Sequence, residues 1–97
     1  MQVKIHESYR KIVAVADTNL LGMRFEEGIR QITVTDFFKG EEKSENETIE
    51  ILKDMQKEDA TFNIIGEKSI DAALKAGVIK KEGIFTIQNV PVALMLM

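Results

Sequence analysis

The chain has no cysteine, no tryptophan, one proline and one histidine. Without cysteine there are no disulfides, no thiolate nucleophile and no zinc–thiolate site. One histidine, His6, cannot build a histidine-rich metal site, and it is the only side chain whose unperturbed titration falls near neutrality. No apolar run approaches the roughly 20 residues that a membrane span needs. The first residues, Met1-Gln2-Val3-Lys4-Ile5-His6, alternate apolar and polar side chains, unlike a signal peptide. Ser8, Ser44 and Ser69 have no Gly-x-Ser-x-Gly setting. These absences leave no cofactor or metal implied, no membrane partner, and an expectation of cytoplasmic residence.

What is there describes an ordinary globule. The 97 residues are 44% hydrophobic and 30% charged, which fits one domain over 1–97. A chain of this size buries about 60–65% of its unfolded surface, enough for one core. The net charge of −3 is uneven: residues 1–35, 36–59 and 60–97 carry +1, −5 and +1. No basic stripe of the kind that marks duplex binding is visible in the linear sequence.

Periodicity predicts the elements. Val3 and Ile5 alternate with Gln2, Lys4 and His6 as a half-buried strand. Glu7 to Arg10 reads as a turn, and Lys11 to Ala16 as a nearly continuous apolar strand covered on both faces. Asp17 is placed to cap a short helix containing Leu20 and Leu21, with Gly28 as a turn of positive φ. A third strand is expected over 29–35, with Ile32 and Val34 on one face and Ile29 on the other. Ser44 and Glu47 have capping-box spacing, and residues 45–58 form an amphipathic helix. Residues 60–65 fit either a strand or a helical turn. Residues 67–76 form a second amphipathic helix ended by Gly77. Ile84 to Val90 reads as a strand, Pro91 as a turn or edge residue, and Val92 to Met97 as a last buried strand. The fold class is α+β: a two-layer sandwich with a mainly antiparallel sheet and both helices on one face.

Two segments stand out, Asn19-Leu20-Leu21-Gly22 and Asn63-Ile64-Ile65-Gly66, the second followed by Glu67-Lys68. Their flanks differ, so they are not a repeat. Asn63 to Lys68 ends at a helix N-terminus, where open N–H groups attract anions; the plainer reading is that Asn63 and Gly66 solve a backbone problem there. One glycine is far from a phosphate loop. Asp17, Glu26 and Glu27 have the oxygen chemistry of a magnesium site, or else Asp17 caps and both glutamates face water. Phe37-Phe38 beside Lys39 offers either a stacking surface or core packing. His6 on the first strand reads as solvated or hydrogen-bonded. The candidate binding residues are Asp17, Asn19, Arg24, Glu26, Glu27, Asn63, Gly66, Glu67 and Lys68, with no catalytic residue assigned.

The order and spacing of Val13-Ala14-Val15-Ala16-Asp17, Leu20-Leu21-Gly22, Phe25-Glu26-Glu27-Gly28, Phe37-Phe38-Lys39-Gly40, Asn63-Ile64-Ile65-Gly66-Glu67, Ala72-Ala73, Gly77-Val78-Ile79 and Val90-Pro91-Val92-Ala93 resemble the archaeal family called domain of unknown function 424. The resemblance covers nearly the whole chain and implies a small α+β domain with no assigned reaction. Relatives often carry a cysteine just before the early aspartate and a histidine after the proline; this chain has Ala16 and Val92 there.

Function is then expected to lie in surface recognition: a non-catalytic binding or assembly module with a protein or RNA partner. The apolar C-terminal strand could mediate a homo-oligomer. One alternative is an RNA- or ribonucleoprotein-associated, translation-linked role using Arg10, Lys11, Arg24, Arg30, Lys68, Lys80 and Lys81 gathered on one surface. Another is a small enzyme acting through Asp17, Glu26, Glu27 and Glu67 converging in a cleft.

Overall fold

A computed structural model describes residues 1–94. Strands β1 (Gln2–His6) and β2 (Ile12–Ala16), both expected, form an antiparallel hairpin, in register from Gln2 opposite Ala16 to His6 opposite Ile12. A single 3-10 turn, Thr18–Leu20, leads to a second hairpin, β3 (Arg24–Glu27) and β4 (Arg30–Thr33), which forms its own two-stranded sheet. Another 3-10 turn, Asp36–Phe38, and a two-residue strand β5 (Glu41–Glu42) precede helix α1 (Glu45–Lys57). Then come β6 (Thr61–Ile65), α2 (Glu67–Ala76), a 3-10 turn at Lys81–Gly83, β7 (Phe85–Ile87) and β8 (Val90–Leu94).

The main sheet has six strands in the order β5-β1-β2-β6-β8-β7. All neighbours are antiparallel except β2 and β6, which run parallel at its centre. The α+β class and the placement of both helices hold. Both faces of the sheet are covered. Val13 and Val15 of β2, with Phe62 and Ile64 of β6, join Leu52 of α1 and Ile70 and Ala73 of α2 in one core. The alternate residues Ala14, Ala16 and Ile65 join Phe25, Val34 and Phe38 in a second core beneath the β3–β4 hairpin. The period-2 alternation of a strand separates the two sets. A fully buried leucine such as Leu52 contributes about 1.5–3 kcal/mol through water release.

Several expectations change in detail. The ambiguous segment 60–65 is strand β6, because a short β-branched run buried on both faces suits a central strand. The short helix expected around Leu20 and Leu21 is a single 3-10 turn, and residues 24–27 are strand: Gly22 and Gly28 adopt φ of +83° and +63°, breaking any helix and leaving room only for a short hairpin arm. Ile29 lies at the hairpin tip, fully exposed, rather than on a covered face. Val90 belongs to β8, not to the preceding strand, because Gln88 and Asn89 form a two-residue turn with φ of +50° and +67°, the backbone of a type I′ hairpin. Pro91 sits inside a strand. The pair flanking a two-residue hairpin exchanges hydrogen bonds and pairs alternate, so Pro91, opposite Thr86, has no donor to lose on the β7 side. The C-terminal strand lies between β6 and β7, so it is an interior strand rather than a free edge for a homo-oligomer. The expected continuation of this strand over 95–97 lies outside the described residues.

Candidate functional site

The parallel strands β2 and β6 end side by side, Ala16 opposite Ile65. Beyond that point their chains part. After β2 the chain crosses to the hairpin face, where Leu20 and Leu21 pack. After β6 it turns to the helix face as α2, where Ile70 and Ala73 pack. A crevice opens where neighbouring parallel strands send their connections to opposite faces, which is where open α/β sheets bind ligands.

Asp17 stands at this point, 9% exposed. Its main-chain N–H donates to the Ile65 carbonyl at 3.1 Å. Its carboxylate does not cap the turn that follows it. It reaches across to α2, where Oδ1 accepts from the Ser69 N–H at 2.8 Å and the Ser69 hydroxyl at 2.7 Å, and Oδ2 accepts from the Lys68 N–H at 3.2 Å. These are N–H groups that a first helical turn leaves open. The residue in the N-cap position, Gly66, has no side chain to satisfy them. Gly66 has φ +109°, and a Cβ built on it would lie 2.7 Å from each Asp17 carboxylate oxygen. The end of the second conspicuous segment therefore meets a residue shortly before the first: a glycine without a side chain makes the space that the remote Asp17 carboxylate fills. The cap also answers the anion expectation, since the protein's own carboxylate occupies the N–H groups that a phosphate would use.

Above this junction is a cleft of about 570 Å³. Thr18, Asn19 and Leu20 form one wall, Gly66, Glu67 and Lys68 the second, and Asn89, Val90 and Pro91 the third. Met1 and Glu42 line its end. Glu42 accepts from the Thr18 hydroxyl at 2.6 Å and is in contact with the Met1 backbone nitrogen. The Met1 amine, and then the Thr18 hydroxyl, hold its carboxyl below the usual carboxylate range. Among the described residues, no hydrogen bond or ion pair engages the side chains of Asn19, Glu67, Lys68 or Asn89. The cleft thus offers two amides, one ammonium and one carboxylate beside an apolar strip of Leu20, Val90 and Pro91.

Five candidates from the sequence, Asp17, Asn19, Gly66, Glu67 and Lys68, line this cleft. Asn63 lies within β6, opposite Ala14 and Leu94. Arg24, Glu26 and Glu27 lie on β3. Arg24 forms an ion pair with Glu26 at 2.5 Å. The Glu26 N–H donates to Gln88 Oε1 at 3.1 Å, and the Gln88 N–H donates to Glu27 Oε1 at 2.7 Å. The two glutamates thus hold a turn instead of joining Asp17, and no group of three His, Asp or Glu side chains suited to a metal occurs among the described residues. Sequence reasoning missed Thr18, Glu42 and Asn89 as wall residues. The polar pair Gln88-Asn89 between two apolar runs was the available turn signal.

The basic residues divide. Arg10 pairs with Asp59 at 3.0 Å and Lys11 with Glu58 at 2.6 Å, at the start of β2, opposite the cleft. Arg30 stacks over Phe85 at 4.7 Å. Phe38 is buried, while Phe37 stacks on His6 at 4.2 Å and its carbonyl accepts from His6 Nε2 at 2.8 Å.

The fold and cleft define a small α+β domain with an open crevice at the ends of the parallel strands β2 and β6. The chain belongs to the family described as "Protein of unknown function (DUF424)", which matches residues 5–97. Its fold is shared with an uncharacterized conserved protein from Methanopyrus kandleri, at 21% identity and a TM-score of 0.82, over 97% of this chain and 88% of that one. No protein of curated function matches it. Ala16 and Val92 are fully buried on either side of Ile65 in adjacent strands, and neither is a reactive side chain. No helix among the described residues is long and apolar enough to cross a membrane.

Proposed function

We propose that the protein is a non-catalytic binding module of the cytosol whose contact point is the cleft between Asn19, Lys68 and Asn89. One observation carries this reading: Asn19, Glu67, Lys68 and Asn89, whose side chains have no partner among the described residues, line one crevice at a switch point, over a backbone fixed by the Asp17 cap. A cleft of this size is within the range of small-ligand pockets. Its mixture of donors, acceptors and, beyond the capped Asp17 and the Met1–Glu42 pair, one further charge of each sign suits a small polar ligand that both donates and accepts hydrogen bonds. Catalysis through carboxylates has less support, because Asp17 is engaged in capping and Glu26 and Glu27 hold Arg24 and a turn. An RNA-associated role has less support as well, because Arg10, Lys11 and Arg24 are matched by acidic partners, and Arg10 and Lys11 lie at the end of β2 away from Lys68.

The test is a soluble library of small polar fragments, screened by amide chemical shifts on the labelled protein. The expected result is that hits move Asn19, Gly66, Lys68 and Asn89 together, and that Lys68→Ala or Asn19→Ala weakens them. Hits that map elsewhere, or an absence of hits, would remove the proposal.

A further inference from the structure

The third wall of the cleft has an unusual anchor. Gln88 adopts φ +50°, a left-handed conformation that glycine and asparagine take readily and other side chains resist. A type I′ turn favours Asn-Gly or Asp-Gly at its two central positions, yet glutamine stands first here. Backbone strain of this kind persists where surrounding contacts over-determine it. The contacts at Gln88 are specific. Its Oε1 accepts from the Glu26 N–H at 3.1 Å, and its own N–H donates to Glu27 Oε1 at 2.7 Å. Asparagine, one methylene shorter, would bring its amide oxygen less far toward β3. The clamp therefore joins the separate β3–β4 hairpin to the turn whose next residues, Asn89, Val90 and Pro91, form the cleft wall. Arg30 over Phe85 adds a second strap between the same two hairpins. At the far side of the wall, the Pro91 carbonyl accepts from the Gly66 N–H at 3.0 Å, so the wall is held at both ends.

We infer that Gln88 is a positioning residue: with Glu27 it uses the β3–β4 hairpin as a brace that sets where Asn89 and Val90 stand in the cleft. The inference rests on the cleft reading only for its functional meaning; the brace itself is read without a ligand.

Hydrogen exchange and ¹⁵N relaxation of the ligand-free protein test it. Gln88→Gly relieves the left-handed strain and keeps the N–H to Glu27, but loses the acceptor for Glu26. Glu27→Ala removes the other half of the clamp from an exposed site. Each variant is expected to speed exchange at Gly66 about tenfold through local opening and to lower the order parameters of Asn89 and Val90, while exchange in α1 stays at the wild-type rate. Glu27→Gln retains an amide oxygen and restores the wild-type values. Unchanged exchange and order parameters in both Gln88→Gly and Glu27→Ala would overturn the inference. So would acceleration shared equally by α1, which would mean general destabilisation. Failure of the fragment screen with an intact brace would instead remove the binding reading alone.

Discussion

The two helices of this domain solve the same problem at their N-termini in opposite ways. At α1 the solution is local. The Ser44 hydroxyl accepts from the Glu47 N–H at 3.2 Å, and Glu47 Oε1 accepts from the Ser44 N–H at 2.9 Å. Four consecutive residues close a capping box. At α2 the cap comes from Asp17, 51 residues before Lys68, and needs a glycine at position 66 to admit it. A local cap stabilises a helix whether or not the rest has folded. A remote cap forms only when β2 and β6 are already paired, so it ties the start of α2 to the sheet and fixes the floor of the cleft.

The sharpest way to break this contrast is at Gly66. Gly66→Ala forces a side chain into a left-handed backbone and against the Asp17 carboxylate, whose oxygens lie 2.7 Å from the added Cβ. The expected loss is about 3–5 kcal/mol, in the range of severe core disruptions, measured by urea unfolding. Asp17→Ala is expected to cost about 3 kcal/mol, because it leaves two N–H groups and the Ser69 hydroxyl unsatisfied in a buried place. The two changes should couple. Once the carboxylate is gone, part of the clash with the new methyl group is gone too, and the double variant should be less unstable than the sum by about 1–2 kcal/mol. Simple additivity would mean that the glycine answers to its backbone angle alone.

The same contrast explains what could be read from the sequence. The span of α1 and its box were legible because every residue that makes them lies within a few positions. The end of α2 was legible for the same reason: Gly77 has φ +76°, and the Val78 N–H reaches the Ala73 carbonyl at 3.2 Å, the closing pattern of a Schellman motif. Asp17 was recognised as a cap, but its helix was misassigned, since residue type announces a carboxylate in search of N–H groups and not where those groups are. Asn19-Leu20-Leu21-Gly22 and Asn63-Ile64-Ile65-Gly66 show the limit well. Similar letters give a 3-10 turn in one case and a central strand in the other, because β6 finds β2 on one side and β8 on the other. Asp17, Asn19, Gly66, Glu67 and Lys68 were found because they interrupt packed elements. Asn89 was hidden, because the turn that presents it depends on a contact with Glu27, across a separate hairpin.

A smaller effect tests the local side of the comparison. Ser44→Ala removes the hydroxyl that meets the Glu47 N–H and should cost about 1 kcal/mol, the usual value for an N-cap. Its amide shift changes should stay within the first turns of α1. Changes at Lys68 and Ser69 would show that the two helix starts communicate and would weaken the contrast.

The smallest effect is in pH. The Ser44 N–H, followed by the Ser44 side chain, holds the Glu47 carboxyl below its ordinary value of 4.5. A carboxyl whose folded value is depressed binds its proton more weakly in the folded state than in the unfolded one. Its contribution is therefore complete above the unfolded value and is lost as pH falls through the folded one. Glu47→Gln keeps an oxygen for the Ser44 N–H but has no charge to place at the positive end of the helix. The wild type should therefore melt at a higher temperature than Glu47→Gln at pH 7, and the gap should close as pH drops below about 4.5. Glu42 is depressed in the same direction, but it titrates in both proteins and cancels from the difference. A gap that stayed constant down to pH 3 would mean that the box works through geometry alone, and that charge adds nothing to the local cap.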